Sequence, residues 1–285
     1  GFETSLPGTA RNRLSLPSST SIGDTGELVI ADASNNRVLI WNTAPMSNVE
    51  ADVVIGQVDG DTHVSGLAAD GLSYPTDAMI SNGHLVVVDQ SNHRVLIWNT
   101  VPTTDGVAAD VVVGQQDFTS SETGTGADEM ESPTGVWTDG FRLLVSDTGN
   151  NRVLYWTQMP TTNGAEASYV IGQSDFNRST SGTSQSTLRA PTSITSDGVR
   201  IYIADSGNNR VVELNAFPIL NGDSFDDLWG QGSYSSAVAN DADQDGDVDD
   251  DPAPRSMDTP TGVLVSDGVL YVSDRNNHRV LMHLP

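Results

Sequence analysis

This chain of 285 residues has no cysteine and no lysine; its 13 basic residues are all arginine. Without cysteine there is no disulfide framework and no thiolate metal site, and the redox compartment is left open. No apolar run is long enough to span a bilayer, and the opening GFETSLPGTARNR does not resemble a signal peptide. No segment shows a helical period. Neither a G-x-S-x-G nucleophile elbow nor a phosphate-binding glycine loop occurs. The formal net charge is −25. So acidic a surface repels phosphate backbones and anionic headgroups and attracts cations, which argues against nucleic acid and membrane as partners. It fits a salty or secreted environment, where screening relieves self-repulsion, or a lineage bias in codon usage. An extracellular or periplasmic location is the expectation.

What the chain does have is a repeat. LVIADASNNRVLIW from Leu28 returns as LVVVDQSNHRVLIW from Leu85 and LLVSDTGNNRVLYW from Leu143, then as IYIADSGNNRVVEL from Ile201 and LYVSDRNNHRVLMH from Leu270. Pro17, Pro75, Pro133 and Pro191 are each 58 residues apart, and Pro260 follows after 69. An apolar run closing on Gly-Gln ends at Gln57, Gln115, Gln173 and Gln231. Each unit holds four short segments rich in β-branched and aromatic residues, separated by turn residues. Asn82-Gly83, Asp139-Gly140, Asp197-Gly198 and Asp267-Gly268 join the first two segments and predict type I′ hairpins. Asp105-Gly106, Asn163-Gly164 and Asn221-Gly222 join the last two.

Four antiparallel strands per unit, repeated, predict an all-β fold, a β-propeller, whose blades must stack because none can bury both faces alone. The motif of an apolar strand, Asp, a short gap and Asn-(Asn/His)-Arg-Val resembles the NHL-repeat family. That resemblance implies five NHL-like blades in one domain over residues 1–285, or part of a six-bladed propeller. The blades read as 17–74, 75–132, 133–190, 191–259 and 260–285. They are longer than the family's usual repeat of about 40–45 residues. In the first four units a proline closes the third strand eight residues after the motif arginine, at Pro45, Pro102, Pro160 and Pro218. Pro285 follows Arg279 by six, so the outer strand of the fifth blade is expected to be missing, an invitation to dimerisation or aggregation.

The 69-residue spacing exceeds the others by 11, the length of the acidic stretch DADQDGDVDDD at 241–251. Asp241, Asp243 and Asp245 followed by Gly246 reproduce the start of an EF-hand-like calcium loop. Alternate carboxylates in a tight loop converge on one hard cation, and glycine allows the sharp turn. Asp247 is expected to offer its carbonyl, Asp249 a carboxylate, and Val248 an apolar anchor. Pro252 departs from the pattern where an acidic residue belongs, with Asp250 or Asp251 as substitutes. A structural Ca2+ is therefore expected; the bland alternative is a solvated acidic loop.

The remaining repeat residues read as framework. Asp32 with Arg37, Asp89 with Arg94, Asp147 with Arg152, Asp205 with Arg210 and Asp274 with Arg279 suit intra-blade pairing better than an anion-binding ring. His93 and His278 stand where other copies have Asn36, Asn151 and Asn209. Some relatives in the family, the peptide-amidating lyases, hold a catalytic metal with histidines from several blades. No three histidines here share a phase, so no catalytic residue is assigned. Trp41, Trp98 and Trp156 recur in one phase as packing residues. Loops 117–131 and 175–190 differ between blades and are where a surface becomes individual. The expectation is a non-enzymatic binding or scaffold module, secreted, recognising a protein, peptide or glycan through one face. The alternative is a metal-dependent lyase or hydrolase acting at the central channel.

Overall fold

A computed structural model describes residues 7–241, 243, 245–248, 253 and 255–284. The repeat becomes five antiparallel sheets in chain order, four of four strands and one of three, the blades of a β-propeller. The first sheet comprises β1 (Ser19–Ile22), β2 (Leu28–Asp32), β3 (Arg37–Trp41) and β4 (Val53–Ile55). The second comprises β5 (Pro75–Ser81), β6 (His84–Asp89), β7 (Arg94–Trp98) and β8 (Val111–Val113). The third repeat supplies β9 (Gly135–Thr138), β10 (Leu143–Asp147), β11 (Arg152–Trp156) and β12 (Tyr169–Ile171). The fourth supplies β13 (Pro191–Ser196), β14 (Ile201–Asp205), β15 (Arg210–Leu214) and β16 (Asp227–Trp229). The fifth has β17 (Pro260–Ser266), β18 (Val269–Asp274) and β19 (Arg279–His283).

Two compact units divide the chain. The first spans 1–124 with 128–143 and 157–166; the second spans 125–127, 144–156 and 167–285. In the first unit, blade one packs on blade two. Val29, Val38, Ile40, Val53 and Ile55 meet Ala78, Ile80, Leu85, Val87, Leu96 and Trp98 in one buried cluster. In the second, Tyr202, Ala204 and Val211 of blade four meet Val263, Leu270 and Val272 of blade five. Burying a side chain of this size contributes about 1.5–3 kcal/mol, so these inter-sheet layers are the main source of stability. The recurrent Trp41, Trp98 and Trp156 are all buried.

The hairpins follow the expected chemistry in two of four cases. At Asn82-Gly83 and Asp267-Gly268 both residues have positive φ, from 48° to 80°, in two-residue loops. At Asp139 and Asp197 only the glycine does. There the loop is four residues long, because the aspartate accepts N–H bonds from Phe141 and Arg142, or from Val199 and Arg200, and wraps the chain around its own carboxylate. The Asx-Gly pairs between third and fourth strands do more than turn. Asp105 accepts from Val54 N–H and Asn163 from Val112 N–H in the first unit, and Asn221 from Val170 N–H in the second, so each loop clips onto the outer strand of the preceding blade.

Candidate functional site

The motif builds the same caged ion pair in each blade. The strand ending in Asp and the strand beginning with Arg are joined by a tight connection, a single 3-10 turn in the first four blades. The residue before each arginine there is left-handed: Asn36, His93, Asn151 and Asn209 have φ of 52–54°. This sets the arginine Nε 2.7–2.8 Å from the aspartate in all five blades. In blade two, Arg94 also donates to the carbonyls of Leu67 (2.7 Å), Phe118 (2.9 Å), Ala68 and Gly71 (both 3.1 Å). Asp89 in turn accepts from Ser73 N–H and Asn92 Nδ2. Burial pushes Asp89 and Asp205 up, and the guanidiniums of Arg94 and Arg210 oppose it. With donors and acceptors matched this fully, the buried arginines of the first four blades hold loops together and do not face solvent.

The interchange of Asn and His has a geometric reason. Asn36 Oδ1 accepts the Tyr74 N–H at 2.8 Å, and His93 Nδ1 accepts the Ser132 N–H at 2.9 Å. Asn151 and Asn209 do the same for Ala190 and Thr259. The four receiving residues are all left-handed, with φ of 46–54°, a conformation costing such side chains roughly 1–2 kcal/mol. The cross-blade bond holds them there. An imidazole nitrogen replaces an amide oxygen because both put an acceptor at the same reach.

The acidic insertion grows from a loop that is otherwise conserved in shape. Gly66 N–H bonds Leu72 O and Gly182 N–H bonds Leu188 O; the counterpart is Asn240 N–H to Met257 O. The span from 182 to 188 becomes 240 to 257, which is 11 residues longer. Asn240 and Asn277 exchange side-chain hydrogen bonds of 2.9 and 2.7 Å, pinning the loop to the fifth motif. Within it, carboxylate oxygens of Asp241, Asp243 and Asp245 lie within 4.8 Å of one another. Asp241 is buried, the other two exposed. Gly246 turns the chain at φ +96° and donates to Asp241, while Asp245 N–H reaches Asp243 and Asp247 N–H reaches Asp245. Asp241, Asp245 and Gly246 line a cavity of about 510 Å³ together with Ser233, Ser235 and Ser236. Val248 is 65% exposed and anchors nothing, contrary to the loop analogy. Asp249, Asp250, Asp251 and Pro252 lie outside the described residues.

A family model for the NHL repeat matches residues 257–281, the fifth motif with its first strand. The ion pair inside that stretch is the one repeated in all five blades. The chain is a β-propeller that carries an NHL repeat. Among solved structures, this propeller is similar to a proposed phosphatase from Bacteroides thetaiotaomicron, with a TM-score of 0.55 and 13% identity over 94% of this chain and 61% of that one. It also matches a streptogramin B lyase, with a TM-score of 0.48 and 13% identity over 94% and 65% of the two chains. A nidogen/laminin complex matches with a TM-score of 0.49 and 12% identity over 92% and 74%. The propeller thus spans under two thirds of the lyase and phosphatase chains, and at such identity the likeness is one of fold alone. Comparison with curated proteins returns no match.

Proposed function

We propose that this propeller is a non-enzymatic binding or scaffold module, secreted, that recognises a protein, peptide or glycan through one face and carries a structural calcium ion. The observation behind the binding role is where the repeat's polar side chains go. The arginines of blades one to four and all five motif aspartates are buried in ion pairs, so the repeated positions have no free chemistry. Individuality is confined to loops such as 117–131 and 175–190, whose sequences differ between blades. Replacing loop 175–190 by the sequence of 117–131 should preserve folding and change which members of a peptide and glycan array are bound. An array with no ligand, or with turnover of its members, would count against a binding module.

Calcium is supported by the spacing of the carboxylates. Two oxygens each about 2.4 Å from one cation can be at most about 4.8 Å apart, which is the limit the three aspartates meet. Asp241, Asp243 and Asp245 would supply side-chain oxygens and Asp247 its carbonyl; the ion would order the insertion. Calcium at a hundredfold excess over Kd should then stabilise the protein by about 2.7 kcal/mol, raising Tm by roughly 5 °C. Asp243→Ala with Asp245→Ala should abolish the rise. A melting curve indifferent to calcium and chelator refutes the site.

A further inference from the structure

The repeat changes character at the tip of an exposed loop in blade four. In blades two and three the loop between third and fourth strands carries Thr103-Thr104 and Thr161-Thr162; in blade four the same positions are Ile219-Leu220. Every one of these residues is exposed, Ile219 at 79% and Leu220 at 52%. The backbone does not call for the change. Gly106, Gly164 and Gly222 N–H each donate to Val54, Val112 or Val170 O at 3.0 Å. Asp105, Asn163 and Asn221 each accept from the N–H of the same valine at 2.9–3.1 Å. Nor does the loop need the pair for its own burial, because Pro218 and Phe225 are buried already. Phe225 N–H donates to Gln185 O and Gln185 Nε2 donates back to Phe225 O, both at 2.8 Å. Two threonines serve the same turn in two other blades, so the isoleucine and leucine are not there for the fold.

The surroundings extend this apolar tip within the second compact unit. Phe217 tilts against Tyr155 with ring centroids 5.3 Å apart, and Tyr155 stacks on Tyr169 at 6.1 Å. Tyr155 and Tyr169 are register partners on the last two strands of blade three. The same pair is Ile40 with Val53 in blade one and Ile97 with Val111 in blade two, all buried. Tyr155 is buried like them, whereas Tyr169 and Phe217 on either side of it are partly exposed. Single exposed apolar residues are ordinary on a protein surface, but a set of them side by side marks an interaction site. The rim of this set is negative. Asp223 adjoins the tip, Asp226 and Asp227 are exposed at the end of the loop, and no basic residue occurs between Arg210 and Arg255. Asn215 N–H donates to Asp226 at 2.7 Å, which closes the loop and holds tip and acids on one short excursion of the chain.

We propose that this rim of blades three and four docks a cationic amphipathic segment of another protein. Its apolar side chains would sit on Tyr169, Phe217, Ile219 and Leu220, and its lysines or arginines would face Asp223, Asp226 and Asp227. Charge decides the occupant. A second copy of this chain would bring a net charge of −25 against the same charge, and an anionic membrane would be repelled likewise. A basic segment gains twice, since apolar contact supplies affinity while opposite charge speeds encounter and rejects acidic competitors. Tyr169 begins β12, whereas loop 175–190 leaves the other end of that strand. The surface is therefore separate from that loop, and either can fail alone.

The test compares the full chain with its Ile219→Thr, Leu220→Thr double variant at about 0.15 M salt, where exposed charges more than about 8 Å apart are screened. The variant copies the tips of blades two and three, so its urea unfolding should match the parent's. The probe is a fluorescent amphipathic peptide of leucine and lysine, about 18 residues long, followed by anisotropy. A second peptide has serine for leucine and the same charge. The leucine–lysine peptide should bind the parent at least about tenfold more tightly than the variant, and the serine peptide should bind both weakly and equally. Tyr169→Val, which copies blades one and two, should weaken binding in the same direction. Hydrogen exchange should slow at residues 215–224 of the parent. Equal binding of the leucine–lysine peptide to parent and both variants would show that charge alone attracts it and would overturn the proposal, as would protection confined to other residues. Self-association of the parent that the double variant loses, or attachment to phosphatidylcholine vesicles in place of the peptide, would overturn it in favour of those occupants.

Discussion

Replacing Arg94 by methionine puts the caged ion pair to a quantitative test. The substitution keeps the alkyl stem and removes five hydrogen bonds: one to Asp89 at 2.8 Å and four to carbonyls between 2.7 and 3.1 Å. Asp89 stays fully buried without its cation, and breaking a buried pair from one side costs about 3–5 kcal/mol. The carbonyls are part-buried, and each one that water cannot reach adds about 1–3 kcal/mol. A loss of about 5 kcal/mol is expected, a large share of the roughly 5–15 kcal/mol that holds an ordinary domain. Asp89→Asn in the same background should return part of it, because the uncompensated charge is gone while the amide oxygen still accepts from Ser73 N–H. Arg178→Met is the control: its pair with Asp175 is 65% and 47% exposed, so the change should stay within about 0.5 kcal/mol. Arg279→Met should fall between them, since that guanidinium is partly solvated. Urea unfolding followed by circular dichroism reads all four. If Arg94→Met lost less than about 1 kcal/mol, no better than a surface pair, the cage would not be what joins the loops.

Glycines in the repeat should separate by what surrounds them. Gly83→Ala meets nothing within 4 Å at φ +80° and should cost about 1 kcal/mol. Gly114→Ala puts a methyl 2.9 Å from Met130 and 3.1 Å from the His93 carbonyl at φ +85°, so at least about 2–3 kcal/mol should be lost in the same urea assay. Desolvation raises Asp77, whose carboxylate accepts from Val136 and Ala78 N–H, above its unfolded value of 3.8. Its contribution is therefore complete below that pH and is lost as pH rises through the folded pKa. Asp77→Asn should gain in Tm relative to the parent as pH rises above 3.8; a constant difference would remove desolvation as the cause.

The framework was readable because each of its contacts is tied to a residue type that repeats. An Asp five residues before an Arg, with Asn between, signals the pair; Gly-Gln signals the close approach of the outer strand. Other features have no such signature. Tyr74, Ser132, Ala190 and Thr259 share a left-handed backbone and no chemistry, since the bond that holds them is donated by their own N–H to a side chain one blade back. The cross-blade grip of Asp105, Asn163 and Asn221 was hidden for the opposite reason: Asx-Gly suffices as a turn, so nothing in it asks for a second role. At the hairpins of Asp139 and Asp197, loop length overrode the dipeptide. In the acidic insertion, the spacing of the first three aspartates announced their convergence, while the analogy misplaced Val248, which is 65% exposed.

The position of that insertion also says where this fold can be lengthened. In blade four, Thr183, Ser184 and Thr187 lend their carbonyls to Arg210; in blade five, Ala253 and Ser256 do so for Arg279. Ala253 and Ser256 are the register equivalents of Ser184 and Thr187, so the eleven added residues enter upstream of them, after the position of Gly182. The same seam lies after Gly66, just before Leu67 begins to wrap Arg94. A foreign loop grafted there would leave the arginine's wrapping intact, making the propeller a frame on which new loops can be displayed one blade at a time.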